Sequence, residues 1–223
     1  DPVKHQVIDI LPSRNTEDLC KHFLEYPYKE RAEVKKIVMD LSTLFRSVAK
    51  TMFPEAKIVA DKFHVIRVVI NSLENVRKRI QKEFHATKRK RFKRSRYLVL
   101  KPEYKLTDED KTELARMLNS SYDLEKAYVL KERFYEVFRK QTRTEAKKEL
   151  GNWLLLAADL SLPEFRHCIT TFSNWKTEIA NIIGERVSNG FIEGSNNKIK
   201  VLKRISYGVR NFDRFRNRIL YLE

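Results

Sequence analysis

A chain of 223 residues carries 46 Lys and Arg against 30 Asp and Glu, a formal net charge of +16. That length can bury one large core or two small ones, and so large a basic excess points to a polyanionic partner, nucleic acid ahead of an anionic membrane or a merely solvated surface. No apolar run reaches the ~18 residues of a membrane span, no basic leader precedes a short apolar stretch, and Cys20 and Cys168 match no metal-ligand spacing, so a reduced cytoplasmic protein is expected.

Val7 to Leu11 alternates apolar and polar residues and predicts a short strand, ended by Pro12. A helix from Thr16 to about Phe23 follows, with acidic residues in its first turn. Lys36 to Met39 and Lys57 to Ala60 are two further strands, each stopped by an aspartate, Asp40 and Asp61. A helix from Ser42 to Met52 separates them, and a long one from about Phe63 to Phe84 comes after. Strands alternating with helices predict an α/β unit with a parallel sheet.

After Phe84 the character changes. Seven of the nine residues from Lys88 to Arg96 are basic. Helical periodicity then runs from Thr107 onward, with elements at Leu124–Gln141, Thr144–Asp159 and Phe172–Ile183. Beyond the turn signal Asn189-Gly190 a helix runs to about Ser206, is broken at Gly208, and is followed by a last one from Arg210 to Leu222. The predicted domains are an α/β half over 1–84, an all-α insertion over 85–185, and C-terminal helices over 186–223 that complete the first half.

Asp40 and Asp61 each sit where a strand gives way to a helix. Helix capping alone would place an aspartate there. A parallel sheet also presents reactive groups at the carboxyl ends of its strands, and carboxylates there suit hard divalent cations. His64 lies three residues after Asp61, on the same helical face, and reads as a supporting histidine oriented by that aspartate. On a helix over 191–206, Glu193, Asn197, Lys200 and Arg204 share one face, and Ile199, Leu202 and Ile205 fall on the side that packs. An ordinary solvated amphipathic helix has this pattern; so does a carboxylate ligand followed by a ladder that grips phosphates. From 198 to 218 there are eight basic residues and one acidic, interleaved with Tyr207, Phe212 and Phe215, which favours nucleic acid. No phosphate-binding glycine loop, nucleophile elbow or paired CxxC occurs.

The blocks VIDILPSR, IVMD, AKIVADKFHV, RYLVLK, AYVLKERF and above all NGFIEGSNNKIKVLKRISYGVRNFDRFRNRIL resemble the DDE transposases of the ISL3 type of bacterial insertion sequences, in order and over nearly the whole chain. The resemblance implies a partial RNase H-like core lacking its first strands, interrupted by an α-helical insertion and mostly helical overall. It implies two Mg2+ ions (or Mn2+) held by two aspartates and a glutamate, and in-line displacement at phosphorus during DNA strand cleavage and strand transfer. Matched residue by residue, the second aspartate is Asp40 and the glutamate Glu193, which would be the catalytic and metal-binding pair, with Asp61 the alternative second aspartate. Asp61 and His64 fit a D-x-x-H element that supports the site. Asn197, Lys198, Lys200, Lys203, Arg204 and Arg210 would contact DNA.

In that family the first catalytic aspartate lies on a strand upstream of the segment matched here, so this chain alone is expected to be inactive. Val7 to Leu11 is expected either to pair in parallel beside Lys36 to Met39 or to leave that edge open. The implied partners are transposon ends and target DNA, with a homodimer in the synaptic complex, at the nucleoid in the cytoplasm. A non-catalytic basic nucleic-acid-binding helical module is the alternative.

Overall fold

The computed structural model describes residues 6–94, 96–185, 190–209 and 211–221, with backbone alone at 91, 192 and 193. The chain separates into two compact units, residues 1–63 with 185–223, and residues 64–184.

The first unit begins with α1 (Thr16–Leu24), started by Asn15, whose side chain accepts the Asp18 N–H at 2.8 Å. A short helix α2 (Tyr28–Glu33) leads into β1 (Lys36–Met39), then α3 (Thr43–Met52) and β2 (Lys57–Ala60). The strands pair in parallel, Lys36 opposite Lys57 and Met39 opposite Ala60. Parallel neighbours need a crossover, and α3 supplies it. Its buried face, Val48 and Met52, meets Leu19 of α1, with Leu11, Phe23, Phe45 and Phe53 packed around them. The Phe23 and Phe53 rings meet edge to face at 4.9 Å.

Two like charges in register at the start of a sheet repel. Here Lys36 and Lys57 share one acceptor: Lys36 Nζ reaches Glu185 Oε2 at 2.6 Å and Lys57 Nζ donates to the other oxygen. The two ammonium groups hold the nearly buried Glu185 carboxyl down to about 2. A residue far along the chain is thus fastened to the amino end of the sheet.

The strand expected at Val7–Leu11 does not form. Asp9 turns its carboxylate back onto the Ile10 N–H at 2.6 Å and takes Arg216 Nε at 2.6 Å, and Ile8 is 71% exposed. Among the described residues the sheet has two strands, β1 and β2. An alternating segment with no adjacent strand has no ladder to join, so local side-chain hydrogen bonds win. The short helix α2 has no counterpart in the sequence pattern, since six residues are too few to show a period.

The second unit has no strand among its described residues. It comprises most of α4 (Lys62–Lys82), then α5 (Ala86–Arg94), α6 (Arg96–Leu100), α7 (Asp108–Leu118), α8 (Tyr122–Val137), α9 (Arg143–Asp159), α10 (Arg166–Asn174) and α11 (Lys176–Ala180). Thr142 and Glu145 form a reciprocal capping box at the start of α9. The single helix predicted over Phe172–Ile183 is two, because Trp175 leaves helical geometry (φ −111°, ψ 17°) while its ring is buried. Phe134 is the centre of the core. Its ring stacks on Phe172 at 5.1 Å and meets Trp153 at 5.0 Å, while Trp153 Nε1 donates to the Leu130 carbonyl at 2.8 Å. Lys131, on α8, is buried yet satisfied: its Nζ donates to the carbonyls of Val99 and Lys101 and pairs with Glu132 at 2.6 Å.

The chain then returns to the first unit as α12 (Gly190–Ile205) and α13 (Phe212–Tyr221). Between them Tyr207 and Gly208 take φ of 49° and 111°, and glycine carries the larger departure without a Cβ clash.

Two outcomes follow for stability. Phe134→Ala should cost about 3–5 kcal/mol in chemical denaturation. Glu185→Gln should cost roughly 1–2 kcal/mol near neutral pH, where both lysine contacts are charge-assisted. Because the folded carboxyl sits near 2 and its ordinary value is 4.5, that advantage is complete above 4.5. It should shrink as pH falls toward 2, so melting curves of the two proteins converge there.

Candidate metal centre and nucleic-acid interface

Asp40 and Asp61 follow Met39 and Ala60, the last in-register pair of the sheet. Continuing that register puts the two aspartates side by side at its carboxyl end, and the Asp61 N–H donates to the Met39 carbonyl at 2.7 Å. Capping does not explain Asp40. The residue that starts α3 is Ser42, whose side chain accepts the Phe45 N–H at 3.3 Å. Asp40 Oδ1 is instead buried with no hydrogen-bond partner among the described residues. A buried carboxylate oxygen without a donor is unfavourable, so folding within the described residues does not account for it. Asp61 is 3% exposed and immediately precedes α4. His64 is half-buried in the first turn of α4.

Glu193 lies on the first turn of α12, and its side chain is outside the described residues, as is the whole of Arg210. Asn197, Lys198, Lys200, Lys203 and Arg204 are all exposed. On the packing side, Ile199 and Leu202 are half-buried and Ser195 is buried, but Ile205 is 54% exposed, contrary to expectation. Each three-residue step lags a full turn by about 60°, so Ile205 has rotated out of the stripe that Ser195, Ile199 and Leu202 define. Among the described residues no three of His, Cys, Asp and Glu gather to hold a metal ion.

Asp9 is committed elsewhere. The Arg216 guanidinium holds its carboxyl below the usual range, with His22 Nε2 at 3.8 Å. Glu185 does not stand out in the sequence; the signal that could have found it is two lysines at equivalent strand positions that need a shared counter-charge.

A family model described as a transposase, of the ISL3 type, matches residues 1–219. The chain belongs to the ISL3-type transposases. It is 26% identical over 219 residues to the transposase of insertion sequence element IS1001 from Bordetella parapertussis, covering 96% of this chain and 54% of that protein. It is 26% identical over 203 residues to the transposase of IS1557 from Mycobacterium tuberculosis, covering 81% of this chain and 46% of that one. A 94-residue stretch is 36% identical to a Lactococcus lactis protein named an ATP-dependent protease, over 42% of this chain and 26% of that protein. The chain spans about half the length of the two transposases it matches. No solved structure matches significantly. No helix among the described residues is long and apolar enough to cross a membrane.

The two aspartates should respond oppositely to truncation. Asp40→Ala removes an unsatisfied buried acceptor and should leave metal-free stability unchanged or raise it by about 1 kcal/mol. Asp61→Ala should lower it by roughly 1–3 kcal/mol, since that buried side chain has partners to lose. Equilibrium denaturation in chelator decides the matter; equal losses would return Asp40 to a structural role.

Proposed function

We propose that this chain carries part of the centre that cleaves and joins DNA strands in an ISL3-type transposase, built on an RNase H-like core. The observation that carries the reading is the unpartnered Asp40 Oδ1, buried at the carboxyl end of a parallel strand next to Asp61. The donor set fits a hard divalent cation, because carboxylate oxygens are the ligands that Mg2+ and Mn2+ prefer. Asp40 and Glu193 would hold it, with Asp61 and His64 in support. Bound metal would supply positive charge at the scissile phosphate.

The rest of the work falls to the chain's own groups. Asp40 presents a carboxylate oxygen that no donor among the described residues meets. Along α12, Asn197, Lys200 and Arg204 offer exposed donors and cations at helical spacing, suited to holding the phosphate backbone in register. Asp61, fixed by the sheet through its own N–H, keeps the backbone beside Asp40 from shifting. Synapsis of transposon ends with target DNA by a homodimer, at the nucleoid, completes the proposal.

The test is thermal melting of the chain with Mn2+ or Mg2+. A metal at a hundredfold excess over its dissociation constant should add about 2.7 kcal/mol. Asp40→Asn and Glu193→Gln should each remove most of that gain. The same gain in all three proteins would overturn the site. In the full-length transposase, both substitutions should abolish strand cleavage while leaving DNA binding.

A further inference from the structure

We infer that α5 is a second grip on the phosphate backbone of duplex DNA, set in the helical unit and separate from the α12 ladder. It rests on the nucleic-acid reading of the charge, not on the metal centre.

Between Glu83 and Glu103 the sequence has no acidic residue. In that stretch α5 exposes Lys88, Arg89, Lys90, Lys93 and Arg94. Its buried apolar side chain, Phe92, is 4% exposed and meets the Phe84 ring edge to face at 5.0 Å. Lys88 Nζ lies 3.9 Å over that same ring. Phe92 therefore fixes which face of α5 turns inward. Arg89 with Lys93, and Lys90 with Arg94, are pairs four residues apart, rising about 6 Å along the axis; the second pair lies opposite Phe92 and the first along its flank.

Among the described residues none of these four makes an ion pair, whereas Arg96, just beyond, is spent on Glu74 at 3.1 Å. Like charges at that spacing repel and weaken the helix, so the arrangement suits a ligand that supplies the missing negative charge. A membrane fits poorly. A helix that lies on a bilayer needs an exposed apolar face, and the large apolar side chain of α5 is turned inward. A protein partner would want a buried aromatic or aliphatic anchor, which the exposed residues of α5 do not offer. A row of phosphates requires only cations at regular intervals.

The experiment measures affinity of the full chain for a short duplex of arbitrary sequence as salt is varied. The variant carries Arg89→Gln, Lys90→Gln, Lys93→Gln and Arg94→Gln. Its plot of log affinity against log salt should become shallower by about 0.9 for each phosphate that is no longer neutralised, roughly 3 to 4 in all. Melting temperature should be unchanged or slightly higher, as the repulsion is relieved, which separates weaker phosphate binding from unfolding. Hydrogen exchange provides an independent readout in the unaltered chain, with duplex expected to slow exchange of the α5 amides. A companion variant, Lys198→Gln, Lys200→Gln and Lys203→Gln, tests α12 alone. An unchanged slope in the α5 variant, with a shallower slope only in the α12 variant, would overturn this proposal and leave the other standing. So would loss of binding to phosphatidylserine vesicles with DNA binding intact. No binding of duplex by the unaltered chain at low salt would overturn both.

Discussion

The unit that carries Asp40 is organised by a parallel pairing only four residues long, Lys36–Met39 against Lys57–Ala60. Few ladder hydrogen bonds are available over that length, and its first pair sets two lysines against each other. Glu185 converts that repulsion into a shared attraction and ties the C-terminal segment to the same edge of the sheet. Below, β2 is buried throughout Ile58, Val59 and Ala60, while β1 is buried only at Met39. The sheet is thus held from its amino end by charge and from one strand by burial. Its carboxyl end, where Asp40 and Asp61 stand, has no such clamp among the described residues.

At that end the two aspartates differ in how they are satisfied. Asp61 is buried, engaged and placed to begin a long helix, so a folding role accounts for it. Asp40 has no cap to make, because Ser42 starts the helix in its stead, and its Oδ1 meets no donor among the described residues. A buried oxygen of that kind calls for a partner that the described residues do not supply.

Much of this is legible in the residues. Short β-branched runs ended by aspartate mark both strands of the sheet with their boundaries, and cap residues such as Ser42 and Thr107 mark where helices begin. Local pattern fails where the outcome depends on distant partners. Val7–Leu11 alternates like a strand but has no described neighbour to pair with. Trp175 breaks a helix because its ring is buried in the core, a tertiary demand that periodicity does not record. The pairing of Glu185 with Lys36 and Lys57 spans most of the chain, and nothing near Glu185 announces it. The position of Asp40 is readable from the strand it ends, but its distinction from Asp61 comes only from the hydrogen bonds each makes.

Glu185 also bears on whether Glu193 can share a site with Asp40, because it fixes where the C-terminal segment departs. That point is the amino end of the sheet, and Asp40 is at the other. Lys36 to Asp40 spans about 13 Å of strand. Five residue steps from Glu185 to Gly190 can cover up to about 17 Å when extended, and the helical steps to Glu193 add about 1.5 Å each. Chain length therefore permits the two carboxylates to meet, with several ångströms to spare. The clamp thus anchors the segment that leads to α12 as well as the sheet. Weakening it would lengthen the free connection between the two.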